Sequence, residues 1–112
     1  MISVRVHNAR EATPVGTPAA VASRAIVTQR VYTVFASNTS GSVRYLQLFD
    51  LQALPANATV PFIEVIMAAN SQASIVYPNG RVLREGLVVA SSSTQAALTI
   101  TAADLLIDVT HD

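Results

Sequence analysis

The stretch VRYLQLFDLQALPANATVP, residues 43–61, opens with a run that offers water neither of its sides. Successive side chains of a strand point to opposite faces, so VRYLQLF would set Val43, Tyr45 and Phe49 on one face and Leu46 and Leu48 on the other. The run VPFIEVIM repeats the pattern, with Val60, Phe62 and Ile66 opposed to Ile63, Val65 and Met67, and Val88, Val89 and Ala90 continue it. A strand in a two-layer antiparallel sandwich needs only one apolar face. Something must therefore cover the second faces of these middle strands.

Around this stretch, β-branched and aromatic residues recur in short runs from Ala25 onward. The runs are AIVTQRVYTVFAS (25–37), VRYLQLFD (43–50), TVPFIEVIM (59–67), QASIVY (72–77), GLVVASS (86–92), QAALTI (95–100) and LLIDVT (105–110). Turn formers separate them: NTSGS at 38–42, Asn70-Ser71 and Pro78-Asn79-Gly80. That spacing is the signature of an all-β sandwich or barrel. Asn79-Gly80 signals a hairpin, because both residues tolerate positive φ, and it would place Tyr77 and Val82 on paired strands. Near the C-terminus Thr101 and Asp104 match a capping box, while Leu105, Ile107 and Val109 alternate with Leu106, Asp108 and Thr110. A single helical turn over 101–104 would then lead into a final strand.

The N-terminal ISVRVHN alternates cleanly, Ile2, Val4 and Val6 against Ser3, Arg5 and His7, as a half-buried strand does. AREATPVGTPAAVAS, residues 9–23, carries Pro14, Gly16 and Pro18 among small side chains with no surviving period, and reads as an extended arm. A chain of 112 residues supports one core. The expected organisation is a strand and arm over 1–24 and a β-sandwich domain over 25–112, all-β, antiparallel and jelly-roll-like.

The chain is 51% hydrophobic and only 12% charged, where ordinary soluble domains carry about 25% charged residues. So few charges protect a free monomer poorly against self-association. The spare material, residues 9–24 and short loops, is too little to coat a sheet, so the second faces are expected to meet other subunits. Interface candidates are Val4, Val6, Pro14, Pro18, Leu46, Leu48, Ile63, Val65 and Met67. Each such side chain, once buried, contributes about 1.5–3 kcal/mol before association costs. Those magnitudes suit a permanent homo-oligomer.

Chemistry is sparse. Cysteine is absent, which excludes disulfides and thiolate metal sites. The seven basic residues are all arginine, scattered, and balanced by seven acids to zero net charge, whereas a nucleic-acid footprint needs them clustered and in excess. No run approaches the ~20 apolar residues of a membrane helix, and MISVRVHNAR lacks the layout of a signal peptide. Neither nucleic acid nor membrane is an expected partner. His7 and His111 sit in no catalytic or metal-binding spacing; Asp104, Asp108, His111 and Asp112 form the densest ligand-capable group and read as solvated strand-end residues. Ser91 to Thr94 lacks a nucleophile elbow. Paired carboxylates would need two acids on facing strands, for which only Asp50 and Glu64 are conceivable. The chain is expected to be no enzyme and to carry no cofactor.

The order YLQLFD (45–50), LPANATVP (54–61), YPNGRVLREGLVVASSSTQAALT (77–99) and ADLLIDVTH (103–111) resembles small β-sandwich proteins of tailed-phage particles, over roughly residues 32–110. The shared features are an aromatic strand ending in Phe-Asp, a Pro-Ala-Asn turn with a second proline, a Gly-Leu-Val-Val-Ala strand before a Ser/Thr cluster, and a closing Asp-containing strand. Phe49, Pro55, Asn57, Pro61, Gly80 and Gly86 are the matched fold determinants. Ala58 stands where the family turn has glycine, and residues 1–24 have no counterpart. The resemblance implies a virion protein made in the host cytoplasm, a capsid decoration or head, neck or tail accessory. Its partners would be major capsid or tail/neck subunits. The alternative is a receptor- or glycan-binding module of a fiber, which would expose Tyr32 or Tyr45.

Overall fold

The structure, a computed structural model, describes residues 2–6, 23–26, 30–53, 55–101 and 105–111. It is an antiparallel β-sandwich of strands β1 (Ile2–Val6), β2 (Ser23–Ile26), β3 (Arg30–Asn38), β4 (Arg44–Phe49), β5 (Ile63–Met67), β6 (Gln72–Val82), β7 (Leu87–Ser92) and β8 (Leu105–His111). The first sheet runs β1-β8-β3-β6 and the second β2-β7-β4-β5. Strand β1 pairs with β8, β2 with β7, β3 with β6 and β4 with β5, as in one long hairpin. Rolling that hairpin up adds the pairings β3–β8 and β4–β7. This is the jelly roll, in which two Greek keys share one core.

The core lies between the sheets. Val31, Val34 and Ala36 of β3 and Leu105, Ile107 and Val109 of β8 meet Leu46 and Leu48 of β4, Met67 of β5 and Leu87 and Val89 of β7. Strands β4, β7 and β8, and β3 from Val34 onward, send alternate residues inward, the period that a pleated backbone imposes. At the ends, side chains tie connections together. Asn38, at the end of β3, donates through Nδ2 to the carbonyls of Ser42, Met67 and Ala68 at 2.8, 3.2 and 3.0 Å. It thereby pins the β3–β4 turn to the β5–β6 turn.

Three local expectations are corrected. Pro78-Asn79-Gly80 does not turn a hairpin, because β6 continues through it and pairs with β3 on both sides: Thr33 opposes Val76, and Val31 opposes Arg81. Tyr77, Pro78, Asn79 and Gly80 thus bulge opposite Tyr32, and β6 is an edge strand where a proline removes no ladder bond. Gly80 has φ +76°, and a Cβ there would run into the Arg30 side chain and lie 3.0 Å from the Tyr32 ring. Second, AIVTQRVYTVFAS holds parts of two strands, β2 and β3, which lie in different sheets. Third, QAALTI is no strand: only an isolated bridge from Ile100 to Ser92 forms there. Residues 7–22, most of the expected arm, and 102–104, most of the expected helical turn, lie outside the described residues.

Candidate interaction surface

The second face of VRYLQLF is covered by the chain itself at its Gln47–Phe49 end, while Tyr45 is half-buried and Val43 exposed. Outward-facing Gln47 and Phe49 of β4 and Val88 and Ala90 of β7 are all buried, at 0–1% exposure. Leu98 packs on Phe49, Val88 and Ala90, with Leu51 and Ile100 beside them, as a second small core separate from the first. The material comes from two connections, residues 50–62 between β4 and β5 and residues 93–101 after β7. They are stitched to each other by Ala58 N–H to Leu98 O at 2.8 Å and Leu98 N–H to Thr59 O at 2.9 Å. Asn57 Oδ1 accepts from Ile100 N–H at 2.9 Å.

The 93–101 segment is also latched to the sheet beneath it. Glu64 Oε2 accepts from Gln47 Nε2 at 2.7 Å and from Ala96 N–H at 2.8 Å. Gln47 Nε2 further donates to Thr94 O at 3.3 Å, while its buried Oε1 has no partner. Ser92 Oγ accepts from Thr94 N–H and Thr99 N–H at 3.2 and 2.9 Å. Two alanines hold left-handed backbone in these connections, Ala58 at φ 74° and Ala96 at φ 70°. An L-residue with a Cβ reaches that conformation at a cost of about 1–2 kcal/mol. Ala58 is the position where the resembling turn has glycine, and the backbone there has the form glycine favours.

This placement corrects the interface candidates. Leu46, Leu48 and Met67 lie in the main core at 0–1% exposure and offer no free side to a neighbour, while Ile63 and Val65 are half-buried against that core on edge strand β5. Val4 and Val6 are placed by backbone only, opposite Val109 and Ile107. Pro14 and Pro18 lie outside the described residues.

What stays open is elsewhere. On the outer face of the first sheet, Phe35 of β3 stands opposite Ser74 of β6 and Asp108 of β8. Val76 and Leu106 are its diagonal neighbours across those same strands, within reach of an aromatic ring. Phe35, Val76 and Leu106 are 41%, 61% and 45% exposed. Around this apolar row stand Thr33, Ser37, Gln72, Ser74 and Thr110, with Asp108 opposite Phe35 and Arg5 of β1 in register with Asp108. Val60, Ile66 and Val82 are exposed as well. None of these was singled out from sequence as open, although Phe35 alternates with the buried Val34 and Ala36, which is the signal that places it outward.

The polar groups weighed for chemistry have structural work. Asp50 accepts backbone N–H donation from Arg84 at 2.9 Å, Glu85 at 2.8 Å and Gly86 at 3.3 Å, and so fixes the β6–β7 turn. Burial pushes the Asp50 carboxyl up, but those three donors and the Arg84 charge outweigh it and hold the group below the ordinary aspartate range. Glu64 serves the latch. Asp108 and His111 point to opposite faces of β8, three positions apart on an alternating strand. Tyr32 and Tyr45 are half-buried, and Arg81 lies 4.4 Å over the Phe62 ring and 5.9 Å from that of Tyr77.

No family model matches the chain, and no curated protein matches it in sequence. Among solved structures, the coat protein of Tobacco streak virus is similar at 14% identity, over 97% of this chain and 85% of that one, with a TM-score of 0.40. Likeness of that depth assigns no function.

Proposed function

We propose that this chain is a non-enzymatic structural subunit of a virus particle, of the decoration or accessory type found on a phage head, neck or tail. It joins neighbouring particle subunits, or further copies of itself, through the open face of its first sheet. The observation that carries this reading is the row Val76, Phe35 and Leu106, left exposed while the chain's own connections cover Phe49, Val88 and Ala90 on the opposite sheet. Contiguous apolar surface on a folded domain marks a contact site, and the acid beside the row, Asp108, has Arg5 of opposite charge in register on β1. A fold alone assigns no function, but the jelly roll is one that capsid proteins use, and the resemblance of the strand and turn residues points the same way. The proline-punctuated arm, with Pro14 and Pro18, is a second contact in this reading.

The test is incorporation. The chain is co-expressed with particle components and the particles are purified, for the natural sequence and for a combined Phe35→Ser, Val76→Thr, Leu106→Ser variant. The natural chain co-purifies, and the variant stays folded in the soluble fraction. Undiminished incorporation of the variant overturns the role given to this face.

A further inference from the structure

We propose that residues 93–101 form a strap that opens as a unit, independently of the sandwich, and uncovers a second apolar face made by Phe49, Val88 and Ala90. This inference is independent of the particle reading.

Its basis is how the strap is held. Of residues 93–101 only Leu98 is buried; 93–96 are exposed and the remainder are half-buried. Leu98 belongs to the small outer core, which shares with the main core only half-buried Ile100. Opening the strap therefore gives up the outer core and leaves the packing between the sheets intact. Segments with few buried apolar contacts open with free energies well below that of global unfolding.

Two features of the closed form favour release. Ala96 sits in left-handed backbone, as does Ala58 across the stitch, and both relax once the strap leaves. Gln47 Oε1 is buried without a partner and regains water. Against these stand the hydrogen bonds of the strap: Ser92 Oγ accepts from Thr94 and Thr99 N–H, Thr101 Oγ1 donates to Ser91 Oγ, and Glu64 Oε2 holds both the Gln47 amide beneath and the Ala96 N–H above. Removing that carboxylate unties the strap from β5 while leaving every main-core side chain in place. When the strap lifts, the second sheet presents apolar surface that the closed molecule hides.

The absence of cysteine makes the test direct. Single thiols are placed by Ala90→Cys, under the strap, and by Ala36→Cys, in the main core; both alanines are 0% exposed. Labelling by a thiol reagent without denaturant is expected to be at least about ten-fold faster for Ala90→Cys, with a weaker urea dependence, because local opening exposes less surface. Adding Glu64→Ala raises the Ala90→Cys rate several-fold further and changes the Ala36→Cys rate less. Equal rates with equal urea dependence would mean one cooperative unit and overturn the proposal. Should either thiol variant fail to fold, amide hydrogen exchange of the unmodified chain decides. Leu98 and Ile100 are expected to exchange faster than Val34 and with weaker urea dependence; equal protection overturns it.

Discussion

The outer face of the second sheet is covered around β7 and the end of β4, with Ile66 of β5 left open, whereas that of the first sheet is open along its middle strands. On the β2-β7-β4-β5 sheet, β7 is buried at every position from Leu87 to Ser92, and the outward Phe49 of β4 is 1% exposed. On the β1-β8-β3-β6 sheet, the outward Phe35 and Leu106 are 41% and 45% exposed. Both sheets carry aromatic and aliphatic residues on their outer sides, so strand composition does not decide which positions are covered. Among the described connections, residues 55–62 and 93–101 fold back over the second sheet, whereas the turns 39–43, 68–71 and 83–86 are too short to reach across either face. An apolar second face therefore reports that something covers it, and leaves open whether the cover is the chain or a neighbour.

The largest effect that would break this contrast lies inside the sandwich. Leu46→Ala, at a position first read as an outward contact, should lower stability by about 2–5 kcal/mol through lost burial and a cavity, measured by urea denaturation. A loss below about 0.5 kcal/mol would return Leu46 to the surface.

Leu98→Ala comes next. It removes the anchor of the outer core, yet its cost to global stability is limited to what the closed strap contributes, because the sandwich can persist with the strap open. It should lower the urea midpoint less than Leu46→Ala while sharply raising hydrogen exchange at Ile100. A loss as large as that of Leu46→Ala would fuse the two cores into one.

A smaller gain is expected from Ala58→Gly, about 0.5–1 kcal/mol, because glycine occupies the left-handed region without the clash of a Cβ. A loss of stability would mean that the turn differs from φ 74°. On the open face Phe35→Ser should change monomer stability by no more than about 0.5 kcal/mol, as exposed positions do. A large loss there would contradict its exposure.

The Asp50 turn gives a change whose direction alone is expected. Its folded carboxyl titrates below the unfolded one, so the stability it supplies is present above the unfolded aspartate value of about 3.9 and is lost as pH falls through the folded value. Asp50→Asn should weaken the protein at neutral pH and flatten this part of the acid decline, seen as urea midpoints at several pH values.

Much of the fold was legible in the sequence for reasons these contrasts make plain. Strand β8 shows strict alternation because it is bounded by the core on one side, and β4 and β7 announce themselves by unbroken apolar runs. Hairpin and bulge look alike at Asn79-Gly80, because both need a residue at positive φ. Only the pairing of β3 with both halves of β6 separates them. QAALTI has the composition of a strand, since a strap that seats Leu98 in an apolar groove needs the same residues as a strand that seats it in a core. The expected interface failed at the same point: counting 95–100 as a strand left no material to cover VRYLQLF, so Leu46, Leu48 and Met67 were assigned to a neighbour. The open row Phe35, Val76 and Leu106 was legible in alternation but needed the register of three strands to become one surface.

The most direct measurement is amide hydrogen exchange at Leu98 and Ile100 across a wide dilution series, with native mass followed in parallel by sedimentation equilibrium. If the chain covers its own second sheet, protection at both amides stays constant down to concentrations at which only the 11.8 kDa monomer remains. Protection that disappears as oligomers dissociate would mean that a neighbour provides the cover.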